Sequence, residues 1–192
     1  MDEIIAVATH DSPPPAVFYR DVWGASATSV FAVGFGGMVR FDGSSWTDQT
    51  PAGPFVMLEG VWGVGPTEVY AVGTDLSFRY DGTEWLDWTA PAGSHRAIWG
   101  SGGSDIFVVG FSEVQHYDGS GWQRTVTGAL VGVFGAGPDD VIAVGWSGEA
   151  IRYDGTSWES IAAGTEYDLH DVGYSAGKWR IVGLSGATLE WP

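Results

Sequence analysis

One phrase returns five times along the chain and limits its fold more than any other feature. It runs apolar-Trp-Gly, then ten residues from glycine to glycine to reach apolar-Val-Gly, then aromatic-Asp-Gly-x-x-Trp. The first half occurs as Val22-Trp23-Gly24 to Val33-Gly34, Val61-Trp62-Gly63 to Val72-Gly73, and Ile98-Trp99-Gly100 to Val109-Gly110. Two degenerate copies follow, Val133-Phe134-Gly135 to Val144-Gly145 and Asp171-Val172-Gly173 to Val182-Gly183, so that Phe134 and Val172 stand where the tryptophan is expected. The second half occurs four times: Phe41-Asp42-Gly43 with Trp46, Tyr80-Asp81-Gly82 with Trp85, Tyr117-Asp118-Gly119 with Trp122, and Tyr153-Asp154-Gly155 with Trp158. A period of this length marks a stack of supersecondary units, none of which can bury its own apolar face alone.

The unit is all β. Asp-Gly between β-prone runs is a hairpin signal. The runs Val30 to Val33, Val69 to Val72, Ile106 to Val109 and Val141 to Val144 are apolar at every position and too short for helices, which predicts strands covered on both faces. Each copy therefore holds four short antiparallel strands, the content of a propeller blade. The prediction is one domain over residues 1–192, a five-bladed β-propeller with four-stranded antiparallel blades near 19–50, 58–90, 95–127, 130–163 and 168–192. The fifth copy stops at Glu190-Trp191-Pro192, where its last turn and strand should come, and the apolar stretch Glu3 to Thr9 has no Trp-Gly of its own. That stretch is expected to supply the missing strand and close the ring, because an unpaired strand edge is a liability.

Composition agrees with a compact β fold and excludes several functions. The chain has 192 residues, enough for one core; 30 are glycine and 11 tryptophan. Twenty-four acidic residues against 8 basic ones give a net charge of −16, which repels phosphate backbones and anionic membranes. Neither nucleic acid nor membrane is an expected partner. Hydrophobic residues make up 44% of the chain, so the acidity belongs to a folded surface and not to disorder. There is no cysteine, which removes disulfides, thiolate metal sites and thiol catalysis. Met1-Asp2-Glu3 followed by Ile4 to Ala8 lacks the basic start and apolar length of a signal peptide.

Function is sought on the rim formed by the loops that follow each Val-Gly. These open as Phe35-Gly36-Gly37, Thr74-Asp75-Leu76, Phe111-Ser112-Glu113, Trp146-Ser147-Gly148-Glu149 and Leu184-Ser185-Gly186. An aromatic face beside carboxylate acceptors suits a sugar ring, which offers C–H surface on one side and hydroxyls at its edge. Phe35, Asp75, Phe111, Glu113, Trp146 and Glu149 are thus the candidate ligand contacts of a carbohydrate-binding, non-catalytic module, and glycans the candidate ligand. The alternative is a protein-interaction or structural propeller whose acidic rim meets a basic partner. The recurrent tryptophans are assigned to packing between blades.

Arg40, Arg79 and Arg152 recur at one position, with His116 and Glu190 in the same column; they are expected to pair with carboxylates. Glu68, Asp105 and Asp139-Asp140 lie in equivalent turns and are expected to accept local backbone hydrogen bonds. The spacing of His10, His95, His116 and His170 fits no metal site, and no calcium loop is present; no cofactor is expected. Asp21, Glu59, Asp168 and Asp171 are the acids near the inner strands that a glycosidase would need, but the aligned positions hold no matching set, with His170 in the column of Asp21, Gly60, Ala97 and Gly132. An enzyme is not expected.

The stretch Trp99-Gly100-Ser101-Gly102-Gly103-Ser104-Asp105-Ile106-Phe107-Val108-Val109-Gly110, with Tyr117-Asp118-Gly119 and Trp122, resembles the repeat of bacterial propeller proteins of uncharacterised type, many of them secreted. In blade count and closure the chain also resembles tachylectin-type propeller lectins, which bind N-acetylated sugars between blades. These resemblances imply a monomeric propeller, sugar binding and an extracellular or periplasmic setting. The repeats here are shorter and the loops unequal, so no binding residue of that family carries over by position.

Overall fold

The computed structural model describes residues 18–51 and 56–191. They form five antiparallel sheets in chain order. Blade 1 holds β1 (Phe18–Ser26), β2 (Ser29–Phe35), β3 (Gly37–Phe41) and β4 (Trp46–Asp48). Blade 2 holds β5 (Leu58–Gly65), β6 (Glu68–Gly73), β7 (Leu76–Tyr80) and β8 (Trp85–Asp87). Blade 3 comprises β9 (His95–Gly102), β10 (Asp105–Gly110), β11 (Glu113–Tyr117) and β12 (Trp122–Val126), and blade 4 comprises β13 (Leu130–Gly137), β14 (Asp140–Gly145), β15 (Ala150–Tyr153) and β16 (Trp158–Ser160). Blade 5 has three described strands, β17 (Leu169–Ser175), β18 (Lys178–Gly183) and β19 (Thr188–Trp191). The expected closing strand at Glu3 to Thr9 lies outside the described residues.

The sheets pack face to face through their first strands, β1 on β5, β5 on β9, β9 on β13 and β13 on β17. The second strands β6, β10 and β14 are buried from their second residue to their last, as strands covered on both faces must be. Between blades the filling is aromatic. Phe31 of blade 1 meets Tyr80 and Trp85 of blade 2 with ring centroids at 5.2 and 5.9 Å, and Phe107 of blade 3 meets Tyr153 and Trp158 of blade 4 at 5.3 and 5.8 Å. In the first three copies the first tryptophan lies over the first glycine of the next blade: a Cβ on Gly63 would sit 2.8 Å from the Trp23 ring, and one on Gly100 2.7 Å from the Trp62 ring. The Trp-Gly of the recurrent phrase is thus one packing device, an indole laid on a bare backbone.

The second recurrent glycine answers a different demand. Gly34, Gly73, Gly110, Gly145 and Gly183 each face a backbone carbonyl at the start of an inner strand, those of Phe18, Met57, Ser94, Ala129 and Asp168, and a Cβ at any of them would overlap that oxygen. The Asp-Gly turns are four-residue loops in which the aspartate carboxylate accepts backbone hydrogen bonds two and three residues on. Asp42 Oδ1 takes the N–H groups of Ser44 and Ser45 at 2.8 and 2.9 Å, and Asp81, Asp118 and Asp154 repeat the arrangement. The backbone bonds are the largest influence on the Asp42 and Asp154 carboxyls, and hydroxyl bonds from Thr83 and Ser120 the largest on those of Asp81 and Asp118. Together they hold Asp42 and Asp81 down at about 2, and Asp118 and Asp154 below their ordinary range.

Two expectations change. The carboxylates Glu68, Asp105 and Asp140 do not serve mainly as turn acceptors; they pair with the recurrent column, Arg79 with Glu68 at 3.1 Å, His116 with Asp105 at 2.7 Å and Arg152 with Asp140 at 2.7 Å. Each pair spans adjacent strands of one blade. The fifth copy is also shifted by one residue. Inner strands β1, β5, β9 and β13 carry a bulge near the turn to the second strand, whereas β17 pairs without one, so that Gly173, not Val172, faces Arg180 in the register that places Trp62 opposite Tyr70. The ten-residue glycine spacing of the last copy is therefore not the same spacing: Gly173 holds the tryptophan place and Tyr174 the glycine place.

Candidate functional site

The corrected register brings one column of side chains to one end of the inner strands. Arg20, Glu59, Arg96, Val131 and His170 occupy the same position in blades 1 to 5. Glu59, Arg96, Val131, His170 and Arg20 line a cleft of about 340 Å³ together with Phe111 and Trp146 from the rim loops. Both arginines are held by one acid: Arg20 Nε lies 3.3 Å from Glu59 Oε2, and Arg96 Nη1 donates to Glu59 Oε1 at 2.7 Å. The Glu59 side chain is only 9% exposed, which fixes the pair of cations in place. Each guanidinium also lies over an aromatic ring, Arg20 over Phe35 at 4.7 Å and Arg96 over Phe111 at 4.1 Å. Phe111 in turn contacts Trp146 with ring centroids at 4.9 Å. A continuous ladder runs from Phe35 through Arg20, Glu59, Arg96 and Phe111 to Trp146.

One residue further along the inner strands the column reads Asp21, Gly60, Ala97, Gly132 and Asp171. Small residues there allow neighbouring strands to approach closely: a Cβ on Gly60 would lie 3.2 Å from Ala97 Cα, and one on Gly132 3.0 Å from the His170 carbonyl. Asp21 joins blades 1 and 2, its Oδ1 accepting from Val22 N and its Oδ2 from Val61 N, both at 2.8 Å. Burial, the Asp21 carboxyl's largest influence, pushes its pKa up against those bonds, and the charge of Asp171 adds to the rise. Asp171 accepts from its neighbour Val172 N. Both acids are thus engaged by backbone.

Of the six residues singled out on the rim, the structure brings the three aromatics into the ladder and leaves the three carboxylates out of it. Trp146 is 47% exposed and forms part of a tight 3-10 turn, Trp146–Gly148, with Ser147 in the left-handed region. Glu149 Oε1 accepts the Gly128 N–H at 2.9 Å and so ties the loop to the connection between blades 3 and 4. Glu113 is buried, paired with Arg124 and accepting from Gln115 Nε2. Asp75 is exposed at φ 54°, its N–H donating to the Gly93 carbonyl. Among the described residues no three of His, Asp and Glu come together to hold a metal ion.

Sequence reasoning missed Arg20, Arg96 and the role of His170. The signal was present, because each follows the residue that pairs with the second recurrent glycine: Tyr19 opposite Gly34, His95 opposite Gly110 and Leu169 opposite Gly183. The one-residue shift of the last copy hid it by placing His170 in the wrong column.

No protein-family model and no curated protein matches the sequence. Solved structures do. YCF48 bound to a D1 peptide aligns with a TM-score of 0.69 at 19% identity, over 93% of this chain and 64% of that one. Virginiamycin B lyase from Staphylococcus aureus aligns at 0.72 and 13% identity, over 94% and 72%. A nidogen/laminin complex aligns at 0.68 and 14%, over 88% and 73%. This chain therefore spans less than two thirds of the YCF48 chain. At such identities the likeness is one of fold, and the resemblance to tachylectin-type lectins goes no finer than the propeller. Five face-packed antiparallel sheets and these neighbours together place the chain among the β-propellers.

Proposed function

We propose that this chain is a non-catalytic protein-interaction propeller that receives an extended segment of a partner at the mouth of its inner strands. The observation that carries this reading is the ladder itself: two preorganised arginines, their aromatic supports and an exposed tryptophan, the side-chain types in which binding energy concentrates. Two solved neighbours support it, since one is a propeller bound to a peptide and another belongs to a protein complex. The sugar-binding reading of the same rim is the alternative. It is weakened because Glu113 and Glu149, which a sugar's hydroxyls would need, already serve Arg124, Gln115 and Gly128. A glycosidase is disfavoured because Asp21 and Asp171 are engaged by backbone amides. The same proposal includes a ring closed by Glu3 to Thr9 along β19, the last strand of its sheet among the described residues, which borders a groove of about 420 Å³ lined by Ala162, Ala163, Ile181, Leu189 and Trp191.

Peptide display against the full-length protein, run beside a glycan array, tests the reading. Selected peptides should bind the wild type and lose at least tenfold in affinity to Trp146→Ala, with a blank array. Glycan hits lost in Trp146→Ala, with no peptide enriched, would replace this reading with the lectin, and turnover of an aryl-glycoside panel would replace it with an enzyme.

A further inference from the structure

The charged side chains that line the cleft, Arg20, Arg96 and Glu59, sum to a charge opposite to that of the molecule. The chain bears −16 overall. Of its 8 basic residues, Arg79, Arg124 and Arg152 each have a carboxylate of their own, Lys178 and Arg180 share Glu190 on blade 5, and Arg40 donates to the Tyr80 hydroxyl and lies near the rings of Phe31 and Tyr80. Arg20 and Arg96 also share a single acid, but theirs is buried and they line a cleft. Two guanidinium groups against one carboxylate leave one positive charge over, with His170 beside it. The geometry leaves donors over as well. Glu59 engages Nε of Arg20 and Nη1 of Arg96, and among the described residues no other hydrogen bond or ion pair is made by either guanidinium. The two arginines meet one oxygen each of the same carboxylate, and both line the one cleft.

Resting on the interaction reading above, we propose that the mouth is a carboxylate-recognition site for a peptide. The carboxylate bridges Arg20 and Arg96, and the large apolar side chain next to it lies on Phe111, Trp146 and Val131. Singly charged carboxylate fits better than phosphate because the surplus is a single charge. Planar, bidentate guanidinium groups suit its two oxygens. The pair costs little to order on binding, since Glu59 and the rings of Phe35 and Phe111 already hold it. An acidic surface around the cleft also favours specificity: an anionic group meets two guanidinium groups with donors to spare here, and repulsion over most of the rest of the surface. The free C-terminus of a peptide and the side chain of an internal Asp or Glu both supply the chemistry.

The test uses the whole protein and three small probes: N-acetyl-Ala-Phe with a free C-terminus, the same dipeptide as its amide, and N-acetyl-Asp-Phe-amide. Binding is read by calorimetry and by the indole N–H resonance of Trp146. At least one acid should bind tenfold or more tighter than the neutral amide, and the better acid identifies the source as a peptide terminus or an acidic residue. Arg96→Gln and Arg20→Gln should each bring that acid to within about threefold of the amide while leaving the unfolding midpoint in urea near the wild-type value. Equal binding of acids and amide, or no shift of the Trp146 resonance with any probe, overturns the proposal, and the comparison within wild type stands even where a variant folds badly. Peptides from the display experiment that need Trp146 but carry no carboxylate would sink this inference alone and leave the interaction reading intact.

Discussion

His95 fills in blade 3 the place that Leu58, Leu130 and Leu169 fill in blades 2, 4 and 5, and it is as buried as they are, at 2% exposure. Gln115 and Glu113 lie beneath it, and Gly93 covers them so closely that a Cβ there would sit 2.9 Å from Glu113 Oε1 and 3.1 Å from His95 Nε2. Burial lowers the His95 pKa; the neighbouring Gln115 amide and the charge of Asp75 pull the other way and do not win. A histidine with a depressed folded-state pKa takes up its proton more readily when unfolded. Folding stability is therefore complete above the ordinary histidine pKa of about 6.5 and falls as the pH drops from there toward the folded value. Urea unfolding at pH 7.5 and pH 5.0 checks this. The wild type should lose stability between the two, and His95→Leu, which restores the residue of the other blades, should lose distinctly less. Equal losses would assign the effect to another group.

At the scale of the strand, the blade is organised by where a side chain is forbidden. The Trp99 ring packs so tightly on the backbone of Gly135 that an added methyl would overlap its ring carbons. Gly135→Ala should thus cost about 1–3 kcal/mol through overpacking, read as a lower urea midpoint at unchanged slope. A wild-type midpoint would mean that the tryptophan is not held there. Such positions made the fold legible in sequence, because a glycine that must stay bare and an indole that must cover it recur in register and need no structure to be seen. The functional column was harder to read. Arg20, Glu59, Arg96, Val131 and His170 share a position but not a chemistry, so no pattern of residue type marks them. Their alignment also depends on a bulge that four inner strands carry and β17 lacks, and a bulge is a feature of pairing that one strand's sequence does not display. The rim aromatics were visible because Phe35, Phe111 and Trp146 follow the Val-Gly glycines directly, while the partners that draw Glu113 and Glu149 away from them come from other strands and connections.

The molecule as a whole is least regular where blade 5 should meet blade 1. Toward its next neighbour blade 2 presents Trp62, Tyr70 and Val72, and blade 3 presents Trp99, Phe107 and Val109; at the same places blade 5 presents Gly173, Arg180 and Val182. Val182 is 47% exposed, and Val22 on the facing side of blade 1 is 62% exposed. Arg180 is tied along its own blade to Ser175 and Glu190, as in the polar end face of a terminal repeat. Side-chain packing of the kind that joins the other blades is thus largely absent at this seam among the described residues. The proposed closure would then draw on backbone pairing at the side of β19 that has no strand beside it among the described residues, next to the groove lined by Ile181, Leu189 and Trp191. A short strand that buries two apolar side chains there would contribute about 3–6 kcal/mol as an upper figure, a large share of the roughly 5–15 kcal/mol that holds a domain of this size together. Removing residues 1–9 should lower the thermal midpoint and broaden the transition, with blade 5 losing amide protection first in hydrogen exchange. A truncated protein that melts like the full one, with blade 5 as protected as before, would mean that the ring does not close through its N-terminal segment.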